Sequence, residues 1–171
     1  TPQLVEMRDD GLAGRRASTM VVRTDDDTII RLRLSLPPKN EPLDHLVVFA
    51  LPEEARTGFA GASGSRPDLP AHIGTVGVEV RNTGISSVGP GYAWTMRRVY
   101  PLLGHTLPER QVYDLVQAMA MLREQFPGLP ISVYGAGRTA VLAIYAALVD
   151  ELAAEVILAA PPETHRDPAT P

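Results

Sequence analysis

The fold is decided by residues 131–159, whose sequence is ISVYGAGRTAVLAIYAALVDELAAEVILA. A β-rich run, Ile131 to Tyr134, leads into a short turn, and an alanine-rich helical run follows directly. This order of strand, tight turn and helix is the layout of a nucleophile elbow, whose motif is G-x-S-x-G. Gly137 takes the serine position and Thr139 takes the closing glycine position. The stretch therefore has the layout of a catalytic turn without its reactive atom.

The two glycines of this turn admit three interpretations. They can form a packing turn that lets a helix cross a strand closely, with no site. They can be a degenerate elbow, because glycine adopts the strained apex conformation without a Cβ penalty. Alternatively, Gly135 to Ala140 fits G-x-G-x-x-[G/A] and offers a helix N-terminus to a pyrophosphate. Glu163, after the next predicted strand, stands where a ribose-binding acid is expected.

The composition is that of a single folded domain. With 171 residues, 44% of them hydrophobic, the chain can bury one core. A formal charge of −4 without a basic stripe argues against a nucleic-acid partner. No apolar run reaches the roughly 18 residues of a membrane span, so no membrane partner is expected. Because the chain has no cysteine and no closely spaced histidine pair, we expect no disulfide, no metal and no cofactor. Nothing in the sequence indicates a compartment.

The first third of the chain predicts antiparallel strands. Residues 1–18 are polar and predict a loose lead-in. Thr19 to Arg23 and Ile29 to Leu36 flank Asp25-Asp26-Asp27, which predicts a β-hairpin with a solvated acidic turn. In the second run, leucine and isoleucine alternate with arginine and serine, a pattern typical of a half-buried strand.

The middle third predicts buried strands separated by loops. Leu46 to Leu51 is apolar throughout, which is typical of a strand covered on both faces. Residues 53–72 are rich in Gly, Ser, Ala and Pro and predict a long loop or weak helix. Thr75 to Val80 predicts a further buried strand, and Gly84 to Gly91 begins an irregular loop that contains Tyr92 and Trp94.

The last third predicts alternating helices and strands. Thr106-Leu107-Pro108-Glu109 is a capping box, and the helix that it starts ends at Pro127-Gly128. The elbow strand follows, then a helix from about Arg138 to Leu152 and a strand from Val156 to Ala160. A hairpin followed by alternating helices and strands predicts an α/β fold with a largely parallel sheet. A dinucleotide-binding unit does not usually begin with an antiparallel hairpin.

From about Thr19 to Pro162 the chain resembles α/β-hydrolases of the acetyl xylan esterase and dienelactone hydrolase type. The order and spacing of several motifs carry the resemblance, and residues 163–171 form a Pro-rich tail outside it. Val78 to Gly84 resembles the family's fourth strand and D-x-R-G-x-G turn, from which Glu79 and Asn82 depart. The other matching segments are Tyr92 to Trp94, Leu103-Gly104, Val112 to Leu115, Ile131 to Leu148 and Ala153 to Pro162.

The resemblance implies a three-layer α/β-hydrolase-like sandwich with C-terminal strands missing. It implies that Thr75 to Val80 lies beside Ile29 to Leu36, and Leu46 to Leu51 beside Ile131 to Tyr134. It also implies that Val156 to Ala160 is an exposed sheet edge, since the family's seventh strand pairs there. The family's catalytic acid and histidine follow its seventh and eighth strands, which lie beyond this sequence. We therefore expect the remainder of a larger parent chain as a partner.

The resemblance places the family's functional residues on altered positions. The elbow falls on Gly135, Ala136, Gly137, Arg138 and Thr139, so the nucleophile falls on a glycine. If the elbow geometry is kept, Gly137 should have a positive φ. The oxyanion turn falls near Ala50 and Leu51, and the proline at position 52 removes one backbone donor.

No other residues assemble a triad, which needs a nucleophile, a base and an acid in one geometry. The hydroxyls of Ser132 and Thr139 lie off the apex and are expected to pack or cap. The histidines, for which surface positions or no catalytic role are expected, are His45, His72, His105 and His165.

The function implied is that of an ester hydrolase-like domain without catalysis. Its role would be structural, or it would bind a small-molecule ligand in the relic cleft. Two alternatives stay open. One is an active serine-type ester hydrolase formed by the complete parent chain, and the other is an NAD(P)-binding domain that uses Gly135, Gly137 and Glu163.

Overall fold

A computed structural model of the chain describes residues 1–9, 15–51, 69–88, 90–151 and 153–164. Within those ranges one mixed sheet of seven strands packs against helices. The strands are β1 (Gln3–Asp9), β2 (Arg16–Arg23), β3 (Ile29–Leu36), β4 (His45–Ala50), β5 (Ile73–Glu79), β6 (Ile131–Ala136) and β7 (Val156–Ala159). The helices are α1 (Pro90–Leu102), α2 (Leu107–Gln125) and α3 (Arg138–Val149), with a 3-10 turn at Gly84–Ser86.

The strand order in space is β1-β2-β3-β5-β4-β6-β7. The pairings of β1 with β2, β2 with β3, and β3 with β5 are antiparallel. From β5 to β7 every pairing is parallel. The predicted exchange is confirmed, because β5 lies beside β3, and β4 lies between β5 and β6. The predicted fold class, an α/β-hydrolase-like sheet that opens with an antiparallel hairpin, is also confirmed.

The N-terminal residues form a strand where the sequence predicted a loose lead-in. β1 pairs antiparallel with β2, and a bulge interrupts the register between Leu4 and Glu6. All seven residues of β1 are exposed, so the strand has no buried face to impose an alternating pattern. That missing pattern explains why the prediction was wrong. The hairpin of β2 and β3 is confirmed, although β2 begins three residues before the predicted Thr19.

The core lies chiefly between the sheet and helices α2 and α3. Buried side chains of β2 to β6 meet Leu115, Met119 and Leu122 of α2. Small buried residues of α3, Ala143 and Ala146, let that helix approach the sheet closely. A second apolar cluster, which includes Phe49 and Tyr134, lies on the opposite face of the sheet. None of the described helices is long and apolar enough to cross a membrane.

The helix boundaries follow local chemistry where a cap is present. Thr106 accepts a hydrogen bond from the Glu109 amide, and the Glu109 carboxylate accepts one from the Thr106 amide, so the predicted capping box is confirmed. Helix α1 occupies the segment predicted as an irregular loop. A proline is compatible with the first turn of a helix. Because Tyr92 and Trp94 are both exposed, no buried stripe marks this helix in the sequence.

Candidate functional site

The turn after β6 has a backbone conformation at residue 137 that favours glycine. Gly137 sits between β6 and α3 with φ of 53° and ψ of −123°. The predicted positive φ is therefore confirmed. A residue with a side chain adopts such a conformation at a cost of about 1–3 kcal/mol, which glycine largely avoids.

Gly135 and Gly137 are glycines for different reasons. A Cβ at Gly135 would lie 2.5 Å from the Cα of Ala140 and 2.6 Å from the carbonyl oxygen of Thr139. Gly135 therefore lets α3 cross β6 closely, as the packing interpretation requires. A Cβ at Gly137 would meet none of the described residues within 4 Å. The described residues therefore leave room for a side chain at position 137.

Hydrogen bonds stabilise the turn after β6 and engage the hydroxyl of Thr139. The Gly137 amide donates to the carbonyl of Ala159 at 3.0 Å, which ties the apex to β7. The Thr139 hydroxyl donates to the carbonyl of Ala136 and accepts from its amide, each at 3.0 Å. Thr139 thus stabilises the turn, as expected. The Arg138 amide begins the helix, where backbone amides have no intrahelical acceptor.

The second half of an oxyanion hole is not available from the residues predicted for it. Ala50 and Leu51 follow β4, which lies directly beside β6 with Phe49 opposite Tyr134. The Leu51 amide donates to the carbonyl of Val78 at 2.8 Å, so it is committed to the sheet. The next residue is a proline, which has no N–H. Its placement lies outside the described residues.

A serine–histidine hydrogen bond forms at the opposite end of the sheet. Nε2 of His45 lies 2.7 Å from Oγ of Ser132. The surface position expected for His45 is wrong, because this half-buried residue begins β4. Ser132 is fully buried, and five residues of strand put it about 16 Å from the elbow apex. The contact could not be predicted, because it depends on the register of two strands that are distant in sequence.

Of the other three histidines, the two that the structure describes do not bring a base to the elbow. His72 is exposed in the turn before β5. His105 bonds with Glu109 through Nδ1 at 3.2 Å and with Arg110 through Nε2, so it is tied to the start of α2. His165 lies outside the described residues. Among the residues that the structure does describe, no group of three could hold a metal ion.

The turn after β5 accommodates its two departures from the family pattern. Asn82 has φ of 61°, a conformation that asparagine tolerates better than most residues. Its Oδ1 accepts a hydrogen bond from the Val88 amide at 3.1 Å. The buried Glu79 carboxylate accepts from Arg33 at 2.5 Å and lies where a Cβ on Gly84 would be. Glycine at 84 therefore makes room for this carboxylate.

An ion-pair network ties the β2–β3 turn to α2 through Arg81. Arg81 donates to both carboxylate oxygens of the fully buried Asp114 and, at 3.1 Å, to Asp26. Burial raises the pKa of Asp114, against the opposing effect of these bonds. Burial would also raise the pKa of Asp26, but hydrogen bonds from Thr24, Thr28 and Arg81 outweigh it and lower that pKa. The acidic turn between β2 and β3 was predicted to be solvated. Through Asp26 it also links this hairpin to α2.

The sheet is not arranged as a dinucleotide-binding fold. The strand order differs from the 3-2-1-4-5-6 order of that fold. Glu163 is exposed and lies four residues beyond the last residue of β7. No described contact joins Glu163 to the glycine turn.

A cavity that the sequence did not predict lies between α2 and α3. It has a volume of about 460 Å³ and a largely apolar lining. Residues 135–137 do not line it, so it is separate from the elbow. Its lining residues include Val112, Tyr113, Val116, Leu142, Tyr145 and Val149. Val112 and Val116 also pack against the core, and no sequence signal distinguished the groove from buried packing.

Known structures share this arrangement, although the sequence matches no family model and no curated protein. Acetyl xylan esterase 1 from Thermoanaerobacterium is similar, with a TM-score of 0.66, 14% identity, and coverage of 91% of this chain and 51% of the esterase. An acetyl xylan esterase from Paenibacillus has a TM-score of 0.64 and 17% identity, and the match covers 91% of this chain and 52% of the esterase. An α/β serine hydrolase from Xanthomonas campestris has a TM-score of 0.61 and 16% identity, and the match covers 92% of this chain and 66% of the hydrolase. The chain spans about half the length of the two acetyl xylan esterases.

These similarities agree with the geometry of the sheet. The resemblance noted in the sequence is thus confirmed at the level of the fold. The chain has an α/β-hydrolase-like fold, similar to that of acetyl xylan esterases.

Proposed function

We propose that this chain is an ester hydrolase-like domain that does not catalyse ester hydrolysis. One observation carries the proposal. The position on which the resemblance places the nucleophile is a glycine, and its φ is positive. A nucleophile acts through a side-chain oxygen or sulfur, and glycine supplies neither.

The surroundings of the elbow support the same proposal. The hydroxyl of Thr139 is committed to Ala136, and that of Ser132 is buried at the far end of β6. The Leu51 amide is committed to Val78, so it does not offer a second donor to an oxyanion. Among the described residues, the groups predicted for these roles would therefore supply neither the attacking atom nor the second oxyanion donor of a tetrahedral intermediate.

The proposed role is structural, or the binding of a small molecule at the relic cleft. The room that the described residues leave beside Gly137, and the Arg138 amide at the start of α3, support a ligand there. Such a ligand would be an ester or carboxylate, whose oxygen a backbone amide at a helix N-terminus can bind. The NAD(P) alternative gains no support from the strand order.

The test uses the natural polypeptide that contains this domain. It is treated with a fluorophosphonate probe and assayed with p-nitrophenyl acetate, beside Gly137→Ser. We expect no labelling and no turnover above background in either protein, because a serine without its base remains a weak nucleophile. Labelling of the unmodified protein that one point mutation abolishes would favour the active-hydrolase alternative. Calorimetry with NAD⁺ and NADP⁺ tests the remaining alternative, which predicts binding that Gly137→Val weakens.

A further inference from the structure

The cavity between α2 and α3, the α2–α3 groove, has the size of a small-molecule binding site. Its volume is about 460 Å³. Small-molecule sites in proteins usually measure about 300–1,000 Å³ and are lined mainly by apolar and aromatic side chains. An apolar cavity of about 150 Å³ holds one benzene ring, so this groove has room for a molecule of two fused rings.

The floor of the groove is held by the core of the protein. Val112, Val116 and Leu142 line the groove and also pack against the buried core. Because close-packed side chains keep one arrangement, the floor is formed before any ligand binds. Such a preformed site loses little conformational entropy on binding. At the rim, Tyr145 and Val149 are 44% and 65% exposed, so an occupant would remove apolar surface from water.

Two tyrosines supply hydroxyl groups to the groove. Tyr113 comes from α2 and Tyr145 from α3, so they line it from both sides. No hydrogen bond joins either hydroxyl to a described residue, and each can therefore donate to or accept from a ligand oxygen. The guanidinium of Arg110 lies 5.8 Å from the centre of the Tyr113 ring, a cation–π contact that steadies the ring. Because aromatic rings pack favourably on one another, the two tyrosines favour an aromatic occupant.

The charged residues that line the groove, Glu109 and Arg110, are already paired. Glu109 accepts a hydrogen bond from the Thr106 amide at 3.1 Å and bonds with His105 at 3.2 Å. Arg110 bonds with His105 and lies 3.8 Å from the Asp26 carboxylate. A charged ligand would therefore lose hydration in the groove without gaining a free counter-ion. The groove thus favours an uncharged ligand.

We propose that the α2–α3 groove binds an uncharged aromatic molecule of about two fused rings, whose hydroxyl or carbonyl oxygen hydrogen-bonds with Tyr113 or Tyr145. The size of the groove favours this ligand over a protein partner. The groove is lined by 11 residues, whereas a stable protein interface uses about 20–30 residues on each side. Residues 135–137 do not line the groove, so its occupancy does not depend on the function proposed for the elbow.

Calorimetry with 2-naphthol tests the proposal on the natural polypeptide that contains this domain. We expect a dissociation constant below about 1 mM, in line with the affinity of small ligands that fill a pocket. The double variant Tyr113→Phe with Tyr145→Phe should weaken binding by about two- to tenfold, because the rings are kept and the hydroxyls are lost. The anion 2-naphthoate should bind at least about tenfold more weakly than 2-naphthol, because its carboxylate loses hydration.

A second variant, Val149→Trp, blocks the groove. Val149 is largely exposed, so a larger side chain there can fill the groove without entering the core. We expect it to weaken 2-naphthol binding by at least about tenfold, because it removes the space in which the rings are buried. Ile144→Trp is the matched control. Ile144 is exposed on the same helix but does not line the groove, so this variant should leave the affinity unchanged.

Four results overturn the inference. They are no binding of 2-naphthol, binding that Val149→Trp or the tyrosine double variant leaves unchanged, equal affinity for 2-naphthoate, and a sedimentation coefficient that Val149→Trp lowers. The last result would identify the groove as a contact between protein molecules. Circular dichroism identifies a variant that does not fold. Since the double variant keeps both tyrosine rings, it decides the result if Val149→Trp is misfolded.

Discussion

At Gly137 the backbone has a positive φ and carries no side chain. The conformation costs a non-glycine residue about 1–3 kcal/mol. No described residue lies within 4 Å of a Cβ at this position, so we expect the cost of a substitution to come from the backbone. We predict that Gly137→Ser lowers the free energy of unfolding by about 1–2 kcal/mol. Urea denaturation measures the change.

Two other glycines serve as controls for this prediction. Gly135→Ser should cost more than Gly137→Ser, because its Cβ would clash with the backbone of α3. Gly91 has no positive φ, and no described residue lies within 4 Å of a Cβ there. Gly91→Ser should therefore change the free energy of unfolding little. An unfolding free energy unchanged by Gly137→Ser would contradict the strain at the apex.

Asp26 gives the protein a pH dependence on the acid side. Its pKa in the folded protein lies below the ordinary value of 3.8. Stability from a lowered pKa is present above the unfolded pKa and is lost as the pH falls toward the folded one. We predict that stability declines below about pH 4 and that Asp26→Asn makes this decline shallower. Chemical denaturation between pH 7 and pH 2 follows it.

Asp25→Asn, in the same turn, is the matched control for the pH series. It should leave the slope close to that of the unmodified protein. If Asp26→Asn and the unmodified protein lose stability in parallel as the pH falls, the network does not depend on the ionised Asp26 carboxylate.

Among the elements, α2 is fastened to the loop after β5 by the pair of Arg81 and Asp114. Removing one partner of a buried pair leaves the other charge without compensation and costs about 3–5 kcal/mol. We predict that Asp114→Ala lowers the free energy of unfolding by about 3 kcal/mol, the lower end of this range, because Asp26 still contacts Arg81. The double variant Asp114→Ala with Arg81→Met should cost less than the sum of the two single variants. Strict additivity in this cycle would show that the two side chains are not coupled.

The elements most accurately predicted from sequence are those with a buried periodic face or a complete cap. β3, β4 and α2 belong to this class, because Leu32 and Leu34, the apolar run of β4, and the Thr106 cap each leave a local signal. β1 and α1 were missed because neither buries a regular apolar face. The positive φ of Gly137 was predicted because it depends on a turn within one short stretch of sequence. The contact of His45 with Ser132 and the groove between α2 and α3 depend on distant segments meeting, which a single sequence does not encode locally.

At the scale of the whole molecule, the open edge at β7 governs behaviour in solution. An apolar edge strand with unpaired backbone groups favours association. We predict that the 171-residue chain self-associates or is marginally stable and that Leu158→Lys reduces the association. Sedimentation velocity over a range of concentrations measures it. Ile29→Lys, at an exposed apolar position of β3, is the control. A monodisperse, heat-resistant monomer before any substitution would contradict the prediction.

The two ends of the sheet differ in a way that limits any assembly. At the β1 end, a bulge interrupts the register, and Glu6, Arg8 and Asp9 place charges along the strand. At the β7 end, all four residues are apolar and the described edge has no partner. A molecule with one receptive end and one guarded end can close a pair or terminate a growing fibril, but it cannot propagate one.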